Sequence, residues 1–375
     1  MDFSLSEEQS LLQESIDKFV QNDYDFETRQ ELVSSDLGFS ADYWRLFAEL
    51  GWTAIPFREE DGGYDGTPVE LMVIMEQFGR ALVVEPYLAT IVLAGGVLAR
   101  AATAEQRHTY LPGIIEGTSQ AAFAFAEPKT RFDLTDVTTT AKRVGGSYVL
   151  NGHKAVVFNG PAADLLLVSA RTSGASGDEE GVSLFLLDAG SSGLERRNYS
   201  TIDGLRASDI QLKNVDVGAD CLLGEESAAL PAIRAALDMA SLAVCAEAVG
   251  IMEMLYKKTV DYTKSRVQFG VPIGSFQALQ HRMVDMFMMY EQSKSLLYMA
   301  AMQMETEGEA ASKALSALKY HIGTSGRKLG QEAVQLHGGM GVTNELDVAH
   351  YFKRLTMIDT LFGNADYHLT RFIDP

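Results

Sequence analysis

Only two of the 375 residues are cysteine, Cys221 and Cys245, far apart and outside any Cys-x-x-Cys spacing. That count argues against a disulfide framework and against a zinc site, so no metal is expected and a reducing compartment is the natural setting. Basic residues are also scarce: 31 Lys and Arg stand against 51 Asp and Glu, a formal net charge of -20. Such a chain repels nucleic acid and anionic membrane surfaces, so neither is expected as a partner, and any local cation gains meaning. The apolar run from Leu82 to Leu98 is broken by Glu85, Pro86 and the Gly95-Gly96 pair, which argues against a membrane span. The opening Met-Asp-Phe-Ser carries neither an apolar leader nor an Arg-rich one, and a cytoplasmic protein is expected. No strand-like run leads into a Gly-x-Gly-x-x-Gly dinucleotide fingerprint.

What is present is ample apolar material, 46% of residues, enough for two or three modest cores. Ser6 to Gln9, Thr67 to Glu70 and Thr103 to Gln106 read as three capping boxes, each opening an apolar pattern of helical period. Residues 1–118 are therefore expected to form a helical domain. From Ala121 the pattern shortens to β-type runs at 121–125, 137–144, 148–150, 165–169, 182–187 and 210–212, separated by Gly, Asn, Asp and Ser. A β-barrel or sandwich over 119–225 is expected, with Arg171 to Gly181 as an exposed hairpin tip. Helical period returns at about 228–265, 277–306, 310–337 and from about 364, which suggests a four-helix bundle over 226–375. The fold class is α+β.

The densest chemistry lies in Arg266 to Gln280. It sets a guanidinium, an aromatic face and paired amides in a bend punctuated by Gly270, Pro272 and Gly274. A guanidinium presents five donors that match phosphate oxygens, whereas a surface Arg in a helix-helix loop is the plain structural reading of the same residues.

Taken in order, four features resemble the flavin-dependent acyl-CoA dehydrogenases over nearly the whole chain. They are Arg266, Phe269 and Gly270 followed by Phe276 and Gln277; Gln335-Leu-His-Gly-Gly-Met-Gly341; Glu127-Pro128; and Asn151, Gly152 and Lys154 followed by Asn159-Gly160. The resemblance implies FAD as cofactor, since no side chain accepts a hydride. It also implies an acyl-CoA thioester substrate, an electron-transfer flavoprotein or similar acceptor, and a place in fatty-acid or steroid side-chain β-oxidation. Flavin and acyl-CoA then lie between the β domain and the bundle. Arg266, Gln268, Phe269, Phe276, Gln277, Gln335, Gly338 and Gly339 are implied to hold the diphosphate and adenine half of FAD across a subunit interface.

The rest of the site departs from the family's pattern. Ala126 replaces the usual Thr, Lys129-Thr-Arg-Phe132 replaces Gly-Ala-Gly-Ser, and Val156-Val157-Phe158 replaces Trp-Ile-Thr, so hydroxyl donors and an indole face are missing. Gly363 occupies the position of the usual catalytic Glu, and Ala240 the alternative one. Glu247 is the remaining candidate base, set seven residues and about 10.5 Å along the helix from Ala240; a paired structural carboxylate is its other reading. This asymmetry points to one subunit of a heteromeric acyl-CoA dehydrogenase, a dimer or heterotetramer with a paralogous subunit. A homo-oligomer using Glu247 and a non-catalytic scaffold are the alternatives.

Overall fold

The computed structural model describes residues 4–306 and 308–374. Their contacts group into two compact units, one of Leu32–Gly66 and Val84–Ala240, the other of Met1–Glu31, Thr67–Val83 and Ser241–Pro375.

The first unit is built on an eight-stranded sheet. Its strands are β1 (Ala121–Ala124), β2 (Thr140–Val144), β3 (Ser147–Phe158), β4 (Leu165–Arg171), β5 (Val182–Asp188), β6 (Leu194–Ser200), β7 (Arg206–Gly218) and β8 (Leu222–Leu223). They run in the order β6-β7-β3-β2-β4-β5-β8, and β1 lies parallel to β4. Ala122, Leu150, Leu166, Val168, Phe185 and Ile210 are among the side chains that fill its core. The sequence pattern located most of these strands but missed β6, whose Glu195, Arg196, Arg197 and Asn198 are exposed on an edge that pairs only with β7. It also shortened β3 and β7. Two register shifts, at Leu150/Gly152 and Lys154/Val157, break the alternation that a regular strand would display. The segment after β4 is the expected hairpin tip, and Arg171 closes it by donating to the carbonyls of Thr135, Val137, Ser173, Asp178 and Glu180.

Beneath the sheet a buried ion pair gathers the loop that follows β1. Lys154, fully buried, donates from Nζ to Glu127 Oε1 at 2.8 Å, to Ser169 Oγ at 3.0 Å and to Phe125 O at 3.3 Å. Glu127 in turn accepts from the Thr138 and Thr139 amides, each at 3.0 Å. Burial alone would raise the Glu127 carboxyl, but Lys154 and the two threonines overcome it and hold the group down to about 2. Burial pulls Lys154 down to about 8, so the pair is ionised at neutral pH.

The second unit is helical. It contains α1 (Glu7–Asp23) and α4 (Pro68–Ala81), the Ser241–Ser265 part of α7 (Leu230–Ser265), and α8 (Gln277–Met304), α9 (Glu309–His337), α10 (Asp347–Thr360) and α11 (Ala365–Ile373). The shorter helices α2 (Phe26–Ser34), α3 (Ala41–Glu49), α5 (Gly96–Ala101) and α6 (Ala104–Ile115) lie elsewhere in the first third of the chain. All three capping boxes form, and Gln9 of the first donates to Glu70 of the second at 2.8 Å. The pattern missed α10 because neither end carries punctuation: its N-cap is Leu346 and its C-cap Leu361, without a side-chain cap bond. Among the described residues α7 alone is long and apolar enough to cross a membrane, and 83% of its apolar window is buried within the protein.

Helices α4 and α7 cross with backbone on backbone. A Cβ on Gly79 would lie 2.0 Å from Glu247 O, and one on Gly250 would lie 2.0 Å from Glu76 O. The crossing sets Arg80 2.6 Å from Glu253 and brings Lys294 of α8 to 3.7 Å from the buried Glu76.

Replacing Lys154 with Met strands Glu127 as an unpaired buried charge, and is expected to cost about 3–5 kcal/mol in denaturant unfolding. Because the folded Glu127 carboxyl lies below its ordinary value of 4.5, its contribution should persist above pH 4.5 and fade as pH drops toward 2. A Lys154→Met variant with unchanged midpoint at pH 7 would contradict this.

Candidate functional site

Helix α7 ends at Ser265, and the chain turns at once into the hairpin β9 (Val267–Gln268) and β10 (Val271–Pro272). Phe269 at φ +54 and Gly270 at φ +82 form its two-residue loop, the left-handed pair that a tight hairpin turn requires. Ile273 N donates to Arg266 O at 2.8 Å, and Gly274 lies so close to α7 that a Cβ there would sit 3.1 Å from Thr263 O. The bend is thus rigid, yet its side chains face outward. Phe269 is 92% exposed and meets Phe276 edge to face at 6.2 Å. Arg266 is exposed, and its guanidinium has no hydrogen bond or ion pair with any described residue. The Gln268 side chain donates to the Val267 carbonyl. Gln277 opens α8, whose N-cap Phe276 supplies no side-chain bond, so the positive end of a 28-residue helix points into the same bend.

The second predicted segment lies where α9 ends. Gln335, Gly338 and Gly339 are exposed, Gly338 has φ +63, and no atom lies within 4 Å of where a Cβ would stand on Gly270, Gly338 or Gly339. The two segments, some 70 residues apart in sequence, are joined by Tyr262 and His337. Their rings stack with centroids 4.3 Å apart at 29°, and Tyr262 Oη donates to His337 O at 3.4 Å. Burial lowers the His337 pKa, and Nδ1 lies 2.8 Å from Ala333 O. An unpaired cation, open backbone at three glycines and a helix N-terminus form a donor set that suits an anionic diphosphate with a flat base beside it.

The positions expected from the resemblance to meet a flavin ring offer little. Ala126 O accepts from Ala155 N at 2.9 Å, and Val156, at φ +52, spends its amide on Asp209 at 3.2 Å. No side-chain hydroxyl stands at 126 or at 156–158.

The position expected to hold the base is closed rather than merely empty. Gly363 has φ +107, and a Cβ there would lie 2.3 Å from the Tyr367 ring and 2.7 Å from His368 Nε2. Lys319, buried, pins this loop by donating to the carbonyls of Ile358 at 2.8 Å, Asp359 at 3.2 Å and Gly363 at 2.8 Å. Burial lowers Lys319, and burial together with Lys319 pulls His368 down to about 3, leaving its imidazole neutral. Asp359 pairs with Arg327 and accepts from Ala365 N, while Asn364 caps α11 with Asp366 in its first turn. Ala240 is fully buried. Glu247 gives both oxygens to Arg354, from Nε and Nη2 at 2.6 Å each, with both side chains buried. Sequence reasoning missed Tyr262, Lys319 and Arg354; only Tyr262 carried a signal, standing one helical turn before Arg266.

Installing a carboxylate at Gly363 should therefore fail: Gly363→Glu is expected to lower stability by at least about 1–3 kcal/mol through the left-handed backbone alone. It should also yield no gain in activity. A stable, active Gly363→Glu protein in thermal unfolding and turnover assays would show that this loop accepts a base.

Three family models match the chain in order: the acyl-CoA dehydrogenase N-terminal domain over residues 6–118, the middle domain over 122–215 and the C-terminal domain over 230–373. The short-chain-specific acyl-CoA dehydrogenase of Megasphaera elsdenii is 31% identical over 85% of this chain and 85% of its own. Subunit CarC of the caffeyl-CoA reductase-Etf complex of Acetobacterium woodii is 30% identical over 93% of this chain and 92% of its own. Among solved structures, the ChsE4-ChsE5 complex from Mycobacterium tuberculosis superposes with a TM-score of 0.89 at 26% identity, covering 100% of this chain and 98% of that one. The chain belongs to the acyl-CoA dehydrogenase family, oxidoreductases that use FAD and act on CH–CH bonds.

Proposed function

We propose that this chain is one subunit of a heteromeric acyl-CoA dehydrogenase, in which a paralogous partner holds most of the FAD and supplies the C2 base. The observation that carries the reading is an asymmetry. The bend at Arg266 is preformed, cationic and unpaired, whereas Gly363 sits in a loop that excludes a carboxylate. Arg266, Gln268, Phe269, Phe276, Gln277, Gln335, Gly338 and Gly339 would receive the diphosphate and adenine half of the partner's cofactor. When bound, FAD supplies the hydride acceptor that desaturation of an acyl-CoA to a trans-2-enoyl-CoA requires. The chain's own part is to anchor and orient that group and to exclude water from it.

Apolar exposure beside the bend supports a docked partner: Val284, Phe287 and Met288 lie on one face of α8 and are exposed, as is Phe269. The similarity to the ChsE4-ChsE5 complex favours a paralogous subunit, and that to CarC favours an electron-transfer flavoprotein as redox partner. A cytoplasmic setting and domain divisions near residues 118 and 225 complete the reading. Glu247 is assigned to structure, because both of its oxygens are engaged by the buried Arg354 guanidinium.

Arg266→Ala should weaken FAD binding by the native assembly about ten- to a hundredfold, the worth of charge-assisted hydrogen bonds to a diphosphate. Unchanged affinity in flavin titration would remove the bend from the cofactor site. Glu247→Gln should lower stability by about 1–3 kcal/mol, since the carboxylate charge facing the buried Arg354 guanidinium is removed, with only a few-fold change in kcat. A kcat loss of about 10²-fold or more with fold and flavin intact would place the base on Glu247.

A further inference from the structure

The reading of the bend as a cofactor site leaves one physical question: what keeps its two halves in register. Arg266 to Gly270 hangs from the end of α7, and Gly338-Gly339 from the end of α9. Diphosphate and adenine contacts need both at once. We infer that Tyr262 and His337 are positioning residues for FAD, and that their stacked rings set the spacing between the cationic bend and the glycine turn.

The geometry is specific. Tyr262 O accepts from Arg266 N at 2.8 Å, so the ring of Tyr262 is coupled through one helical turn to the residue offered to phosphate. His337 directly precedes Gly338, whose left-handed φ of +63 starts the exposed turn. Between them lies the 4.3 Å stack, with the Tyr262 hydroxyl bonded to the His337 carbonyl at the mouth of that turn. His337 is buried and Nδ1 faces Ala333 O, which fixes the ring plane from behind. One turn earlier on α7, Lys258 pairs with Asp347 at 2.7 Å, a second tie from the same helix to the chain just beyond the turn. Among the described residues no hydrogen bond or ring contact joins either ring to Arg266, Phe269 or Gly339, so their effect on the cofactor passes through backbone placement. An aromatic pair of this kind contributes about three- to tenfold in an equilibrium constant.

This inference rests on the proposed role of the bend, and the test separates the two. Flavin affinity would be measured by fluorescence titration of the native assembly, freed of its FAD, for Arg266→Ala, His337→Ala, His337→Phe and Tyr262→Phe, well below each variant's unfolding temperature. His337→Ala should weaken FAD about three- to tenfold, while His337→Phe, which keeps a flat face but loses the Ala333 bond, should restore affinity to within about twofold. Tyr262→Phe keeps the stack and should likewise stay within about twofold. If His337→Phe is as weak as His337→Ala, or if His337→Ala matches the parent while Arg266→Ala sheds flavin, the positioning role falls and the bend assignment stands. If Arg266→Ala also retains full affinity, the cofactor reading of the bend falls and takes this inference with it.

Discussion

The contact of α4 with α7 is the constraint from which the helical unit follows. Two glycines, Gly79 and Gly250, each lie against the other helix's backbone carbonyl, so the axes come closer than any side chain would permit. At that separation Glu76, Arg80 and Glu253 cannot reach solvent freely, and they neutralise one another with Lys294 and Lys257. Close approach also brings the Glu247 turn of α7 into the interior, where Arg354 from α10 takes both of its oxygens. The carboxylate that a sequence reader would nominate as a base is committed by packing before chemistry enters. Breaking either glycine would move the whole of α7, including its end, where the Arg266 bend begins.

Charge is spent in a consistent way in this chain of net charge -20. Buried cations are matched to buried carboxylates or to carbonyls: Lys154 to Glu127, Arg354 to Glu247, and Lys319 to three carbonyls around Gly363. Against that background an exposed guanidinium without an internal partner, beside an exposed Phe269 in a left-handed turn, is poorly explained by the isolated chain. A polyanion seated on the bend and an apolar neighbour over Phe269 would account for both. The closed loop at Gly363 carries the complementary message, since Lys319 and the Tyr367-His368 pair hold its backbone where a side chain has no room.

Much of this was legible in the sequence for identifiable reasons. Capping boxes at Ser6, Thr67 and Thr103 use side-chain groups within three residues, so local spacing suffices to find them. The bend at Gly270 was visible too, because glycine marks left-handed backbone, but the hairpin was not, since Phe269 takes the same left-handed region without being glycine. The edge strand β6 was not, since solvent on its outward face removes the alternation by which strands are recognised. Nor were Arg354 and Lys319, whose meaning lies in partners more than 35 residues away in sequence. Local pattern showed the bend, and the family resemblance the glycine segment, of the proposed cofactor site; the stack of Tyr262 on His337 that joins them is a tertiary fact.

The most direct test of the account is the flavin content of the native assembly, purified with its paralogous partner and compared with this chain expressed alone. Absorbance of released FAD against protein from quantitative amino-acid analysis gives the ratio. The account predicts one FAD per two chains in the assembly and a nearly colourless protein when this chain is purified by itself. A full complement of one FAD per chain in an isolated homo-oligomer would contradict it.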